Sequence, residues 1–195
     1  MLTTQVLFGI TAGILAFVPC PLYIYAILKG ETKPDRVTWW ILALVSGMIA
    51  LTYDATGAHE TIWLPIGYTA SFFIIALFSL RYGDGPMHLH TLDRICLVVA
   101  LASFVVWRLL DAPFLALLMS MATEFAALVP TAIKAYERPE TEDRSAWVVT
   151  SVASLLNVLA ITPWTFFIAL YPVYVFVTNI IITYFIVRRR GRSTL

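Results

Sequence analysis

Long apolar runs separated by short polar punctuation dominate the chain. They occupy about Gln5–Leu28, Val37–Tyr53, Ile62–Leu80, Ile95–Leu110, Ala112–Ile133, Ala146–Thr162 and Trp164–Val187. A bilayer core about 30 Å thick needs roughly 17–25 residues of helix, so each run predicts one membrane span. The fourth run is the shortest, and Asp93 and Arg94 can extend it. The last two runs are separated only by Thr162-Pro163, with proline placed where a new helix can begin. Seven spans with short connections leave no room for a soluble domain. The expected fold class is an all-α membrane protein with seven transmembrane helices in one bundle.

Composition points the same way. Of the 195 residues, 60% are apolar and 13% charged, whereas soluble domains average about 45–50% and about 25%. That excludes an ordinary soluble domain and a disordered chain, and two cysteines exclude a disulfide scaffold. Met1–Gln5 carries no positive charge, and the apolar run after it is longer than a signal peptide's 7–15 residues, so span one is expected to remain in the mature protein.

The net charge of +1 conceals a partition. Lys29, Lys33 and Arg36 follow span one, Arg81 and Arg94 follow span three, and Lys134, Arg138 and Arg144 follow span five. Arg188, Arg189, Arg190 and Arg192 lie in the tail. Of the 13 basic residues only Arg108 sits at the other end, beside Asp111. The positive-inside rule then puts the N-terminus outside and the C-terminus in the cytoplasm. The basic tail reads as an anchor against anionic lipid, with phosphoinositide or nucleic-acid binding as the alternative; no nucleic-acid partner is expected.

The most specific signal is internal repetition. Asp35-Arg36-Val37-Thr38-Trp39 opens span two and Asp143-Arg144-Ser145-Ala146-Trp147 opens span six, a shared D-R-x-x-W. Pro21 matches Pro130, Ser46 matches Ser154, and Pro65 matches Pro172. Ile74, Ile75, Phe78 and Arg81 match Ile181, Ile182, Phe185 and Arg188, all at offsets of 107 to 109. General likeness of apolar helices explains the Ile and Phe matches but not the paired prolines or the duplicated motif. Spans one to three (1–82) and five to seven (112–195, with the basic tail) form the two copies, and 83–111 holds a loop and a linker helix. With an even helix offset the copies share one orientation and are parallel repeats.

This 3+1+3 arrangement, with proline in the first helix of each repeat and a charged loop after it, resembles the SWEET/PQ-loop superfamily of sugar and vitamin carriers, amino-acid exporters and cargo receptors. The Pro-Gln pair that names the PQ-loop group is absent: Leu22 follows Pro21 and Thr131 follows Pro130. The resemblance implies alternating access, with Pro21 and Pro130 as paired hinges; static kinks are the structural alternative. Arg36, Trp39, Arg144 and Trp147 would mark the cytoplasmic end of the two copies.

Polar residues inside the spans are the candidate binding groups. Glu124 lies near the middle of span five, where an ionisable group costs on the order of 3 kcal/mol and usually faces a cavity. Ser120, Glu124 and Thr131 share one helical face. Glu124 has Leu15 as its repeat partner, so the site is asymmetric; its role is either proton coupling or charge balance for a cationic group, against a purely structural hydrogen-bonded acid. Asn157 shares a side of span six with Trp147, Thr150 and Ser154. Asn179 lies with Pro172 and Thr183 on span seven, opposite Ser71 or Phe72 in the repeat. Each asparagine either contacts a ligand or hydrogen-bonds between helices. The resemblance implies a pair of asparagines on the third and seventh helices for sugars; here only Asn179 fills such a position. Trp39, Trp40 and Trp147 at one end and Trp63, Trp107 and Trp164 at the other read as an aromatic belt, with substrate stacking as the alternative. Tyr25, Tyr53, Tyr68 and Tyr174 are gate candidates.

Other chemistry is not encoded locally. No lysine lies deep in a span, which argues against a retinal Schiff base. His88 and His90 near Asp84 and Asp93 lack a four-ligand metal spacing. Cys20 between Pro19 and Pro21 reads as a small buried apolar group. With no phosphate loop or nucleophile–base pair, neither enzymatic activity nor a cofactor is expected. The expected function is a transporter of a small polar metabolite, with Glu124, Asn157, Asn179, Ser71, Ser120 and Ser154 in a central cavity. A non-transporting cargo receptor and a membrane scaffold, either of which could self-associate, are the alternatives.

Overall fold

The structure, a computed structural model, describes residues 3–83 and 91–190. Every long regular element in them is an α-helix: α1 (Thr4–Phe17), α2 (Pro19–Leu28), α3 (Arg36–Asp54), α4 (Trp63–Tyr82), α5 (Thr91–Leu110), α6 (Pro113–Glu137), α7 (Arg144–Leu159) and α8 (Phe166–Arg190). Five stretches are long and apolar enough to cross a membrane: α1 with α2, α3, α4, α6 and α8. α7 is a shorter apolar helix of 16 residues. α5 has 20 residues, including Asp93, Arg94 and Arg108. Large apolar side chains are exposed along the bundle, among them Ile14, Leu22, Val98, Phe125 and Leu155. Monomeric soluble proteins rarely expose such a continuous apolar surface, whereas a bilayer accepts it.

Two expected boundaries move. Span one is two helices rather than one. Pro19 has no N–H to continue the ladder, so the chain breaks at Val18, whose own N–H reaches the Ile14 and Leu15 carbonyls at 3.1 and 3.3 Å. α6 holds the single Pro130 and stays continuous. The last span begins at Phe166 instead of directly after Pro163, because the Thr165 side chain caps it, accepting from Ile168 N at 3.4 Å.

The duplicated motif starts helices. Asp35 Oδ1 accepts from Thr38 N at 2.8 Å, and Asp143 Oδ1 accepts from Ser145 N and Ala146 N at 2.8 and 3.2 Å. Both are N-caps. Asp35→Ala and Asp143→Ala should each cost about 1 kcal/mol, read as a lower thermal midpoint in detergent, while Asp143→Asn should keep most of it. An unchanged midpoint in both alanine variants would remove this role. The second motif residue differs between the copies. Arg36 donates to the Ser79 and Gly83 carbonyls at 3.1 and 2.9 Å and closes the end of α4, whereas Arg144 is exposed.

α4 packs between α1 and α3, and α2 folds onto α4; α8 packs between α6 and α7. Across the bundle α1 meets α7 and α3 meets α6, while α5 covers α3 and α6. α1 and α4 run parallel and in close contact. Gly9 lies on the Glu60 carbonyl, Gly13 on the Trp63 backbone, and Gly67 on the Gly13 carbonyl.

The apolar core is undivided at one end of the bundle and divided at the other. Away from the basic end, Ala12, Ile49, Tyr53, Leu64, Leu117 and Tyr171 belong to a core that draws on both groups of helices. Toward the basic end there are two separate clusters. Cys20, Ile27 and Ile75 hold α2 to α4, and Ala135, Ile182 and Ile186 hold α6 to α8.

Candidate functional site

Below the undivided core, α4, α6 and α8 bring polar groups together. Tyr174 lies against the Glu124 carboxyl and Tyr68 against Asn179, while Tyr68 and Tyr171 lie within electrostatic reach of Glu124. The grouping follows from helix period. Tyr171 and Tyr174 share a face of α8 at a spacing of three, and Asn179 follows Tyr171 by eight residues, a little over two turns along the same side. Glu124 faces them from α6 at mid-span. Asn179 Nδ2 is buried with no hydrogen-bond partner, and Glu124 Oε2 and Tyr174 Oη are buried beside each other. On α7, Asn157 is fully buried, and neither its Oδ1 nor its Nδ2 has a partner. Buried polar groups are normally satisfied, and each orphan costs about 1–3 kcal/mol. These groups include acceptors and donors, so they fit a polar solute that carries both.

Two runs of aromatic rings lead to this cluster. From the basic end, Tyr23, Trp39, Phe72 and Tyr68 succeed one another at ring-centroid distances of 5.1, 5.8 and 5.8 Å. From the far end, Tyr53, Tyr171 and Tyr174 follow at 5.2 and 6.4 Å. Tyr53 also closes that end: its hydroxyl is 2.6 Å from Thr61 Oγ1 and donates to the Ile168 carbonyl at 2.7 Å, tying α3, the α3–α4 connection and α8 together.

The other sequence candidates are placed elsewhere. Ser120 Oγ donates to Ser103 Oγ at 3.2 Å and so faces α5. Ser71 Oγ bonds the Gly67 carbonyl of its own helix at 2.8 Å, and Cys20 Sγ reaches the Ser71 carbonyl at 3.7 Å. Ser154 Oγ bonds back to the Ser151 carbonyl at 2.9 Å. All three serines are buried in helix packing. Pro21 and Pro130 are both exposed, on α2 and α6. Trp147 Nε1 donates to Glu142 Oε2 at 3.2 Å, and Lys134 pairs with Glu142 at 2.9 Å, fastening the α6–α7 connection. Trp39 is half-buried among Tyr23 and Phe72, while Trp63 and Trp164 are exposed as a belt requires. His88, His90, Asp84 and Arg192 lie outside the described residues; among the described ones no cluster of metal-ligating side chains occurs.

Comparison with known proteins adds nothing to this geometry. No protein-family model matches the chain, nor does any curated protein or solved structure.

Tyr171 is the member of the cluster that sequence reasoning missed. Its signal was its three-residue spacing to Tyr174, already a gate candidate, and its eight-residue spacing to Asn179.

Proposed function

We propose that this chain is a transporter for a small polar metabolite, built as two parallel three-helix repeats on a SWEET/PQ-loop-like scaffold, with its basic end in the cytoplasm. The observation that carries the proposal is the cluster of Glu124, Tyr174, Tyr68 and Asn179, with unpartnered buried polar atoms, at the level where one core becomes two.

Three features support it. The packing order is the same in both groups of helices, third between first and second, and the cross-contacts α1–α7 and α3–α6 exchange into each other under the repeat. The Tyr53 clasp and the undivided core seal one end, while the separate clusters at the basic end let the halves part there. The repeat also pairs the broken α1–α2 segment with the continuous, proline-containing α6. Proline thus interrupts the first helix of one half and lies inside the first helix of the other.

The test is uptake into proteoliposomes across sugars, amino acids, vitamins and nucleosides, run beside equilibrium binding of the same panel. Saturable uptake of a polar solute is expected. Tight binding without flux would make the protein a receptor, and neither binding nor flux would overturn the site.

A further inference from the structure

On the outer surface of the bundle, between α6 and α8, runs an apolar groove with a volume of about 550 Å³. Phe125, Val129 and Ile133 form one wall, and Ile181 and Phe185 the other; Thr178, Tyr136 and Glu137 are the polar side chains along it. Most of these apolar walls belong to helices long and apolar enough to cross a membrane. The groove has a physical origin. In the first group of helices the break at Val18 lets α2 fold onto α4, burying Cys20, Ile27 and Ile75 between them. α6 has no such break and continues as one helix to Glu137, with a slot beside α8.

The groove ends at the basic side of the bundle. There Tyr136 and Phe185 meet edge-to-face at 5.3 Å. Arg188 stands over the Tyr136 ring at 5.4 Å and the Tyr184 ring at 5.5 Å. The two rings hold the guanidinium in place while leaving it exposed, and α8 continues into Arg189 and Arg190. A guanidinium presents a planar fork of donors that matches phosphate oxygens. The neighbouring Lys134 is engaged by Glu142. Glu137 is the acidic side chain among the residues that line the groove.

We propose that this groove binds one acyl chain of an anionic phospholipid, with the headgroup phosphate on Arg188. An apolar slot opening to lipid takes the chain, and the cation at its basic mouth selects the headgroup. This site is separate from the Glu124 cluster and does not depend on transport.

Native mass spectrometry of the full-length protein in detergent tests it, with phosphatidylglycerol, phosphatidylcholine and inorganic phosphate as probes. The protein is expected to retain one phosphatidylglycerol in several-fold excess over phosphatidylcholine, and inorganic phosphate should not displace it. Val129→Trp and Ile181→Trp, which fill the slot from opposite walls, should each abolish retention. Arg188→Ala, at an exposed position that keeps the fold, should lower phosphatidylglycerol retention about fivefold and leave phosphatidylcholine unchanged. Equal retention of the two lipids, displacement by phosphate alone, or unchanged retention in Arg188→Ala would overturn the proposal. A dimer lost in Ile181→Trp would also overturn it, assigning the groove to a second copy of the chain.

Discussion

Gly67→Ala should destabilise the folded protein by up to about 2 kcal/mol, and Gly67→Leu should prevent it from accumulating in the membrane. A Cβ at residue 67 would press into the Gly13 carbonyl oxygen and stand 3.1 Å from the Gly13 carbonyl carbon and 3.2 Å from Ala16 Cβ. The first two are backbone atoms, which cannot rotate aside, so α1 and α4 must move apart. Overpacking of this kind costs about 1–3 kcal/mol. Alanine's better helix propensity returns up to about 1 kcal/mol, which offsets only part of that loss. Gly47→Ala is the control. Its Cβ would meet only Thr69 Cγ2, at an ordinary 3.7 Å, so the propensity gain should dominate and leave stability equal or higher. Both are read as thermal midpoints in one detergent. A Gly67→Ala midpoint equal to that of Gly47→Ala would mean that α1 and α4 do not approach through glycine.

The close approach was written in the sequence as Gly9-Ile10-Thr11-Ala12-Gly13, the small-xxx-small spacing that lets membrane helices touch. The approximate helix positions were legible in the sequence, since uninterrupted apolar runs have few other solutions in a bilayer, but not the break at Val18 or the start of the last helix at Phe166. The Asp35 and Asp143 caps were legible in position, though their role as caps came only with the geometry. Which helix meets which was not. A helix apolar on nearly all sides has little moment to mark its buried face, and a handful of polar residues must carry that information. Glu124 marks such a face, and Tyr174 lies against its carboxyl. Ser120 does not: it shares a face with Glu124 in projection, but a four-residue step turns it about 40° away, enough to reach Ser103 on α5 instead. The break at Val18 and the groove beside α8 have one cause: Pro19 and Pro21 both fall in the interior of the first span, whereas in the fifth Pro113 starts the helix and only Pro130 lies inside it. Both placements are visible in the sequence, but their consequence for packing is not.

Glu124→Gln is the substitution expected to change function most. Glutamine keeps the shape and the hydrogen-bonding carbonyl but can neither ionise nor pass on a proton. If Glu124 carries a proton or balances a cationic group, the variant should bind its solute ten- to a hundredfold more weakly, matching the loss of a charged hydrogen bond of about 1.5–3 kcal/mol. It should also lose the pH dependence of binding while keeping a near-native thermal midpoint. Tyr174→Phe removes the hydroxyl beside the carboxyl and should weaken binding through the same contact. The double variant should then lose less than the sum of the two, since residues in contact couple by about 0.5–3 kcal/mol. A purely structural acid gives the opposite pattern. Replacing it with a neutral isostere in an apolar bundle relieves a desolvation cost, so stability would rise while affinity and its pH profile stayed as they were. The affinity, the pH profile and the thermal midpoint therefore move in different combinations under the two roles. Leu15, which the proposed repeat matches to Glu124, offers a further check: Leu15→Gln places the same amide on the first group of helices, and it should cost stability without acquiring any effect on solute binding.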